Sequence, residues 1–312
     1  MSGSKILQVG AHWPGIDQIK HLVIFGDSYS TVGYDTSMPH PTHKNPLGVV
    51  FPGRTYNERD KPNWVGHLIQ SYRKKTKSHK LVYDYASGGD TVGGMRRQVE
   101  NEFVRDVGQR PEWAPWTSDD TLFVSWIGIN DCAYGGEFNT QIDTLMQLQE
   151  TLYTSGARNF LFIDVPPMER SPAASAAVAS KTPGFDSATI RWNTLLACSA
   201  SHFAQAHPGD TTVLLFSAHD VLTRVLDDPR AHGFRGGSAD TSKAGGRIWS
   251  DRLHVTSAVH GVVTRELQSF LDAVQASESK YGSGTAAGKR RRTWFGLLGG
   301  IKLPARLRTR SA

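Results

Sequence analysis

Apolar residues are concentrated in five short unbroken runs, with longer stretches of helical periodicity between them. The runs are His21–Phe25 (HLVIF), Leu81–Tyr85 (LVYDY), Thr121–Ile127 (TLFVSWI), Asn159–Val165 (NFLFIDV) and Thr211–Phe216 (TTVLLF). Runs this short that do not alternate with polar residues predict strands covered on both faces, as in a parallel sheet. The 3.6-residue spacing between them predicts helices over roughly 63–75, 93–105, 141–155 and 186–206, and a last one over roughly 256–275. Strand and helix in alternation predict an α/β fold of three layers around a central parallel sheet of about five strands. In such sheets ligands bind beyond the carboxyl ends of the strands. The first three runs lead there into Gly26, the pair Gly88-Gly89, and Gly128, so the chemistry is expected at these turns.

Two long loops interrupt the pattern: residues 34–62, rich in Pro and Gly, and 166–184, rich in Pro, Ala and Ser. Loops of that length in a compact domain usually cover or shape a site. The expected organisation is an extension over 1–19, one domain over 20–276 and a flexible basic tail over 277–312. Hydrophobic residues make up 38% of the 312, enough for a sizeable core and too many for a disordered chain. No apolar run reaches the length of a membrane-spanning helix. Two cysteines, Cys132 and Cys198, exclude a disulfide scaffold, and Cys132 is expected to be a buried structural thiol.

The formal charge of +6 is unevenly placed. Nine basic residues and no acidic ones lie from Lys280 onward, which leaves 26 of the 35 basic residues against 29 acidic in 1–279, a net of −3. The folded domain is therefore not expected to bind nucleic acid. The tail segment Lys289-Arg290-Arg291-Arg292-Thr293-Trp294-Phe295 is of the kind that touches an anionic membrane surface or acts as an address, although a plain disordered tail is the simpler reading. The first twenty residues contain no apolar stretch of signal-peptide length, and no asparagine begins an N-x-Ser/Thr sequon. An intracellular protein with reduced thiols is expected.

Four short motifs hold candidate chemistry, and each has a plainer structural reading. In Gly26-Asp27-Ser28 the glycine permits a tight strand-to-helix turn that presents the serine hydroxyl where backbone N–H groups favour an anion; the plainer reading is a helix cap. In Ser87-Gly88-Gly89-Asp90 a glycine N–H can donate to an oxyanion, or the segment is a simple turn. In Gly128-Ile129-Asn130-Asp131 the side-chain amide can add another donor, or the residues form an Asx-turn. In Asp251-Arg252-Leu253-His254 the carboxylate can hold the imidazole through Nδ1 and leave Nε2 to take a serine proton; a capping aspartate beside a surface histidine is the alternative. Gly88, Asp90 and Gly93 do not supply a dinucleotide-binding glycine pattern, and H-E-x-x-H, paired C-x-x-C and P-loop motifs are absent. Ser71-x-x-Lys74 and Ser277-x-x-Lys280 lie in charge-rich segments and read as surface. Trp113 and Trp116 are candidates to line a sugar or acyl pocket, whereas Trp126, inside a strand, reads as core.

Taken together and in this order, the four motifs resemble the GDSL or SGNH hydrolase superfamily over about residues 20–275. The loop after the first motif is closer still: Asn45-Pro46-Leu47-Gly48, Pro52-Gly53, Pro62-Asn63-Trp64 and Tyr85-Ala86-Ser87-Gly88-Gly89 resemble fungal family 16 carbohydrate esterases, which are acetylesterases. That group is typically secreted, and it usually has proline where Val255 stands. The resemblance implies a flavodoxin-like SGNH fold with Ser28 as nucleophile, His254 as base and Asp251 orienting it. It also implies an oxyanion hole from Ser28 N–H, Gly89 N–H and the Asn130 amide, with Asp27 and Asp131 in support, and neither metal nor organic cofactor. The expected activity is cleavage of a short acyl ester, acetyl first, from a small polar or carbohydrate-like alcohol through an acyl-enzyme, by a monomer whose partner is that small substrate. A lipid acylhydrolase or acyltransferase on the same site, and a non-catalytic binding protein on the same fold, are the alternatives.

Overall fold

The computed structural model describes residues 3–76, 80–174 and 185–278. Residues 175–184 of the second long loop, and the basic tail from residue 279 onward, lie outside them. Six strands form one sheet: β1 (Lys5–Gln8), β2 (His21–Gly26), β3 (Leu81–Asp84), β4 (Thr121–Trp126), β5 (Asn159–Ile163) and β6 (Thr212–Phe216). Their order is β1-β6-β5-β4-β2-β3. The five expected strands are all parallel, and β1 runs antiparallel along β6. The sixth strand lies within the segment expected to precede the domain. Its residues are exposed or half-buried, so as a short edge strand it lacks the apolar run by which the others are read.

Renumbered among themselves, the parallel strands have the order 2-1-3-4-5, the flavodoxin-like winding. Its switch point lies between β2 and β4, the place where sheets of this winding bind ligands beyond the carboxyl edge. Every residue of β2, β4, β5 and β6 is buried. Two helical layers account for that burial. On one face α1 (Trp64–Thr76) packs on α7 (Ser257–Ala273), which also meets α6 (Ala218–Asp227). On the other lie α2 (Val92–Arg96, continued as a π-helix to Phe103), α4 (Phe138–Thr154) and α5 (Phe185–Ala206), with the short α3 (Ile129–Tyr134) against α5. Two of these, α3 and α6, are additions to the expected helices. Among the described residues, no helix is long and apolar enough to cross a membrane.

Core packing accounts for the aromatic residues near β4. Trp126 and Trp116 are buried, Trp116 against Phe103 and Phe123. Trp113 stacks on His40 and packs near Tyr83. The Trp113 and Trp116 rings are therefore both occupied in packing around β3 and β4. Cys132 is buried, and burial, followed by the nearby Asp131 and Glu169 charges, holds its thiol far above its ordinary range. Ser71 donates to the Gln268 side chain on α7, so its hydroxyl links two helices.

Candidate active site

The switch point is built by close backbone approach. A Cβ on Gly26 would stand 2.4 Å from the carbonyl oxygen of Trp126 on the neighbouring strand, so only glycine fits. The buried Gln98 amide clamps the same residue, accepting from Gly26 N–H at 3.0 Å and donating to its carbonyl at 2.8 Å. After Gly26 the chain turns sharply. Tyr29 N–H donates to Asp27 Oδ1 at 3.0 Å, and the Ser30 and Thr31 N–H groups donate to the Asp27 carbonyl. Ser28 is held in this turn, 5% exposed.

His254 comes to Ser28 from the far end of the chain. Its Nε2 lies 2.8 Å from Ser28 Oγ and its Nδ1 lies 2.7 Å from Asp251 Oδ2. The other Asp251 oxygen accepts from the N–H groups of Leu253 and His254, both at 2.7 Å. Burial pushes the Asp251 carboxyl up, but the hydrogen bonds from His254 and Leu253 outweigh it and hold the group below its usual range. A charged Asp251 makes Nδ1 the protonated ring nitrogen, and Nε2 is then an acceptor for the serine hydroxyl. Tyr29 fastens the two segments together: its hydroxyl donates to the Leu253 carbonyl at 2.8 Å, and its ring lies 5.9 Å from that of His254.

The two donor motifs meet at the same edge. Ser87 N–H donates to the Gly26 carbonyl, and Asn130 Nδ2 donates to the Asp90 carbonyl at 2.9 Å. An amide nitrogen has two hydrogens, so the second is left for a ligand. Gly89 has φ +84°, and no described atom lies within 4 Å of where its Cβ would be, so the space beside it is open. Asp131 takes Val92 N–H on its carboxylate at 3.2 and 3.3 Å, which closes the start of α2 and ties the Gly89 turn to the Asn130 turn. Burial raises the Asp131 carboxyl to about 6. Burial also raises Asp27 to about 7, a rise opposed by the Tyr29 N–H and reinforced by Asp131 and Asp90.

All seven candidate residues are therefore at one edge. Ser28, His254 and Asp251 form a hydrogen-bonded chain, Gly89 and Asn130 come from adjacent turns, and Asp27 and Asp131 hold backbone rather than facing the hydroxyl. Three further residues outside the motifs pack against this edge: Gln98, Tyr29 and Tyr56, whose ring lies 5.1 Å from His254. A polar residue on the apolar face of a helix is the only sequence sign of Gln98, and Tyr56 sits in a loop without periodicity.

No family model matches the chain. An acetylesterase of Thermothelomyces thermophilus is 29% identical over 280 residues, covering 83% of this chain and 89% of that one. An acetylesterase of Hypocrea jecorina is 25% identical over 176 residues, 47% and 48% of the two chains. Among solved structures, the Axe2 acetyl xylan esterase of Geobacillus stearothermophilus superposes with a TM-score of 0.52 at 13% identity, over 86% of this chain and 99% of that one, a likeness of fold. In sequence the chain is thus similar to fungal acetylesterases over most of its length. Tyr29 follows Ser28 directly, and its ring and hydroxyl brace the histidine segment. Val255 follows His254 and pairs with Trp249 in an isolated antiparallel bridge. Thr256 then caps α7 by accepting from Val259 N–H. The imidazole is thus seated between a bridge and a helix start, without the proline usual at that position.

Proposed function

We propose that the protein is a serine esterase that removes short acyl groups, acetyl above all, from a small polar or carbohydrate-like alcohol. One observation carries the reading: Ser28 Oγ, His254 Nε2 and Nδ1, and Asp251 lie in a single hydrogen-bonded line, at 2.8 and 2.7 Å. The acetylesterase names of the two fungal relatives support the acyl group.

The chemistry follows from the protonation states. Ser28 Oγ attacks the ester carbonyl carbon as His254 Nε2 takes the hydroxyl proton, and the charged Asp251 stabilises the imidazolium. The carbonyl oxygen becomes an oxyanion, to which Ser28 N–H, Gly89 N–H and the remaining Asn130 amide hydrogen donate. Collapse breaks the bond to the alcohol oxygen, which leaves with the proton from His254. Water then attacks the acyl-enzyme, giving its proton to His254, and the carboxylic acid departs as Ser28 recovers its hydrogen.

A fluorophosphonate probe followed by peptide mapping tests this directly. Labelling at Ser28, and p-nitrophenyl ester turnover that falls as the acyl chain lengthens beyond acetyl, are expected. An unlabelled Ser28 on folded protein would remove the reading, and turnover rising with chain length would replace it with a lipid acylhydrolase.

A further inference from the structure

His254 lies between two tyrosines of opposite character. Tyr29 is buried, and its hydroxyl is committed to the Leu253 carbonyl. Tyr56 is 47% exposed, with its ring tilted 36° to the imidazole. The exposed ring does not rest there loosely. Arg54 N–H donates to the Val32 carbonyl at 2.7 Å. Thr55 Oγ1 donates to the Lys61 carbonyl at 3.0 Å, and Asn57 Nδ2 donates to the Lys61 and Pro62 carbonyls. On the histidine side, Ser257 N–H donates to Glu58 Oε2 at 2.7 Å and Ser257 Oγ to the Pro62 carbonyl at 2.6 Å. The loop bearing Tyr56 is thus fastened both to the segment after Ser28 and to the segment after His254.

Room for the ring comes from Gly88. A Cβ on that residue would fall 2.0 Å from the Tyr56 hydroxyl oxygen and 2.3 Å from Cζ. The glycine before Gly89 therefore serves a purpose distinct from the oxyanion: it lets an aromatic ring lie against the turn. Direction follows from the chemistry. The departing alcohol oxygen takes its proton from His254 Nε2, so the alcohol lies on the imidazole side of the reacting carbon, where Tyr56 stands. Two sizeable cavities, of about 440 and 430 Å³, flank α1 and are lined by neither Ser28 nor His254, so they offer the alcohol no seat. A sugar ring presents a face of C–H groups and a rim of hydroxyls, which suits an aromatic ring with a hydroxyl at its edge.

We infer that Tyr56 is the leaving-group subsite, a platform on which a sugar alcohol stacks while its ester is cleaved; the inference rests on the esterase reading of Ser28. The test compares two acetyl esters on the full-length protein, O-acetylated methyl xyloside and ethyl acetate, with the hydrolysis of preformed acetyl-enzyme as a third measurement. Tyr56→Ala is expected to raise KM for the sugar ester about ten-fold. Ethyl acetate turnover and deacylation should change less than about two-fold, because neither involves a sugar. Tyr56→Phe and Tyr56→Trp, which keep a ring, should retain most of the sugar preference, and Gly88→Ala should behave like Tyr56→Ala by displacing the ring. An equal loss on both esters, or slowed deacylation in Tyr56→Ala, would overturn the inference and make Tyr56 a positioning residue for His254. Wild-type protein inactive on both esters would instead overturn the esterase reading, and this one with it.

Discussion

Beyond β2, Ser28 meets His254 at 2.8 Å, and Asp251 holds the far side of that ring. Beyond β5 and β6, on the same sheet edge, stand the same three residue types: Asp164, Ser217 and His219, each at most 7% exposed. There the serine hydroxyl donates to Asp164 Oδ2 at 2.7 Å and accepts from Asp220 N–H at 3.1 Å, capping α6. His219 reaches Asp164 through its backbone N–H at 2.8 Å, and its ring nitrogens lie toward Thr223, Asp220 and Glu169 at 3.5 to 3.9 Å. The difference is one of partners. The second serine donates its hydrogen to a carboxylate and accepts from a helix start, and the imidazole beside it is bonded elsewhere, so no imidazole is placed to take its proton. At the first site the carboxylate acts on the ring instead of the hydroxyl. Residue types at a sheet edge do not make a nucleophile; the order in which they are bonded does.

Paired substitutions break or sharpen this contrast. Ser28→Ala should lower p-nitrophenyl acetate turnover about 10⁴-fold or more, while Ser217→Ala stays within about two-fold of wild type. Comparable losses from the two would erase the distinction. Asn130→Ala, which removes a donor but leaves the proton relay intact, should cost about 10²–10³ in kcat with the fold unchanged by circular dichroism. Stability should invert the ranking. Ser217→Ala strips a cap and leaves a buried carboxyl short of a donor, so urea denaturation should show a loss of about 1–2 kcal/mol.

The smallest expected effect is on the pH dependence of stability. Burial raises Asp164 to about 7, a rise that hydrogen bonds from His219 N–H and Ser217 reduce. A carboxyl that keeps its proton longer in the folded state than in the unfolded one makes stability fall as pH rises from about 4 through about 7. Asp27 contributes in the same direction. Melting temperatures of Asp164→Asn across that range should decline less steeply than those of wild type; parallel curves would mean that Asp164 ionises alike in both states.

The five parallel strands and the long helices are legible because burial, on both faces of a strand or along one helical stripe, writes itself into composition. The edge strand Lys5–Gln8 was not, since one open edge and a half-solvated face impose no apolar run. Helix α6 buries Val221, Leu222, Val225 and Leu226 on one side, but it is only 10 residues long, so its period repeats too few times to stand out beside the strand before it. Asn130 and Asp131 favour a turn, one of the two readings their motif allows, yet both lie within the helical turn Ile129–Tyr134, and the amide and the carboxylate take different partners. At the site, Ser28, Gly89, Asn130, Asp251 and His254 were legible because each stands at a punctuated position, beside glycine or at a fixed spacing. Tyr56 was not, because its meaning comes from Gly88 and His254, and neither is near it in the chain.

The bond from the Tyr29 hydroxyl to the Leu253 carbonyl joins residues 224 positions apart. A ribosome making this protein therefore produces the Ser28 hydroxyl long before the His254 imidazole that it meets in the fold. Until residue 254 has emerged and α7 has docked against α1, the growing polypeptide lacks the Ser28–His254–Asp251 line on which the proposed activity rests. A fragment ending before that point, whether from a stalled ribosome or a protease, would keep most of the sheet and none of the turnover.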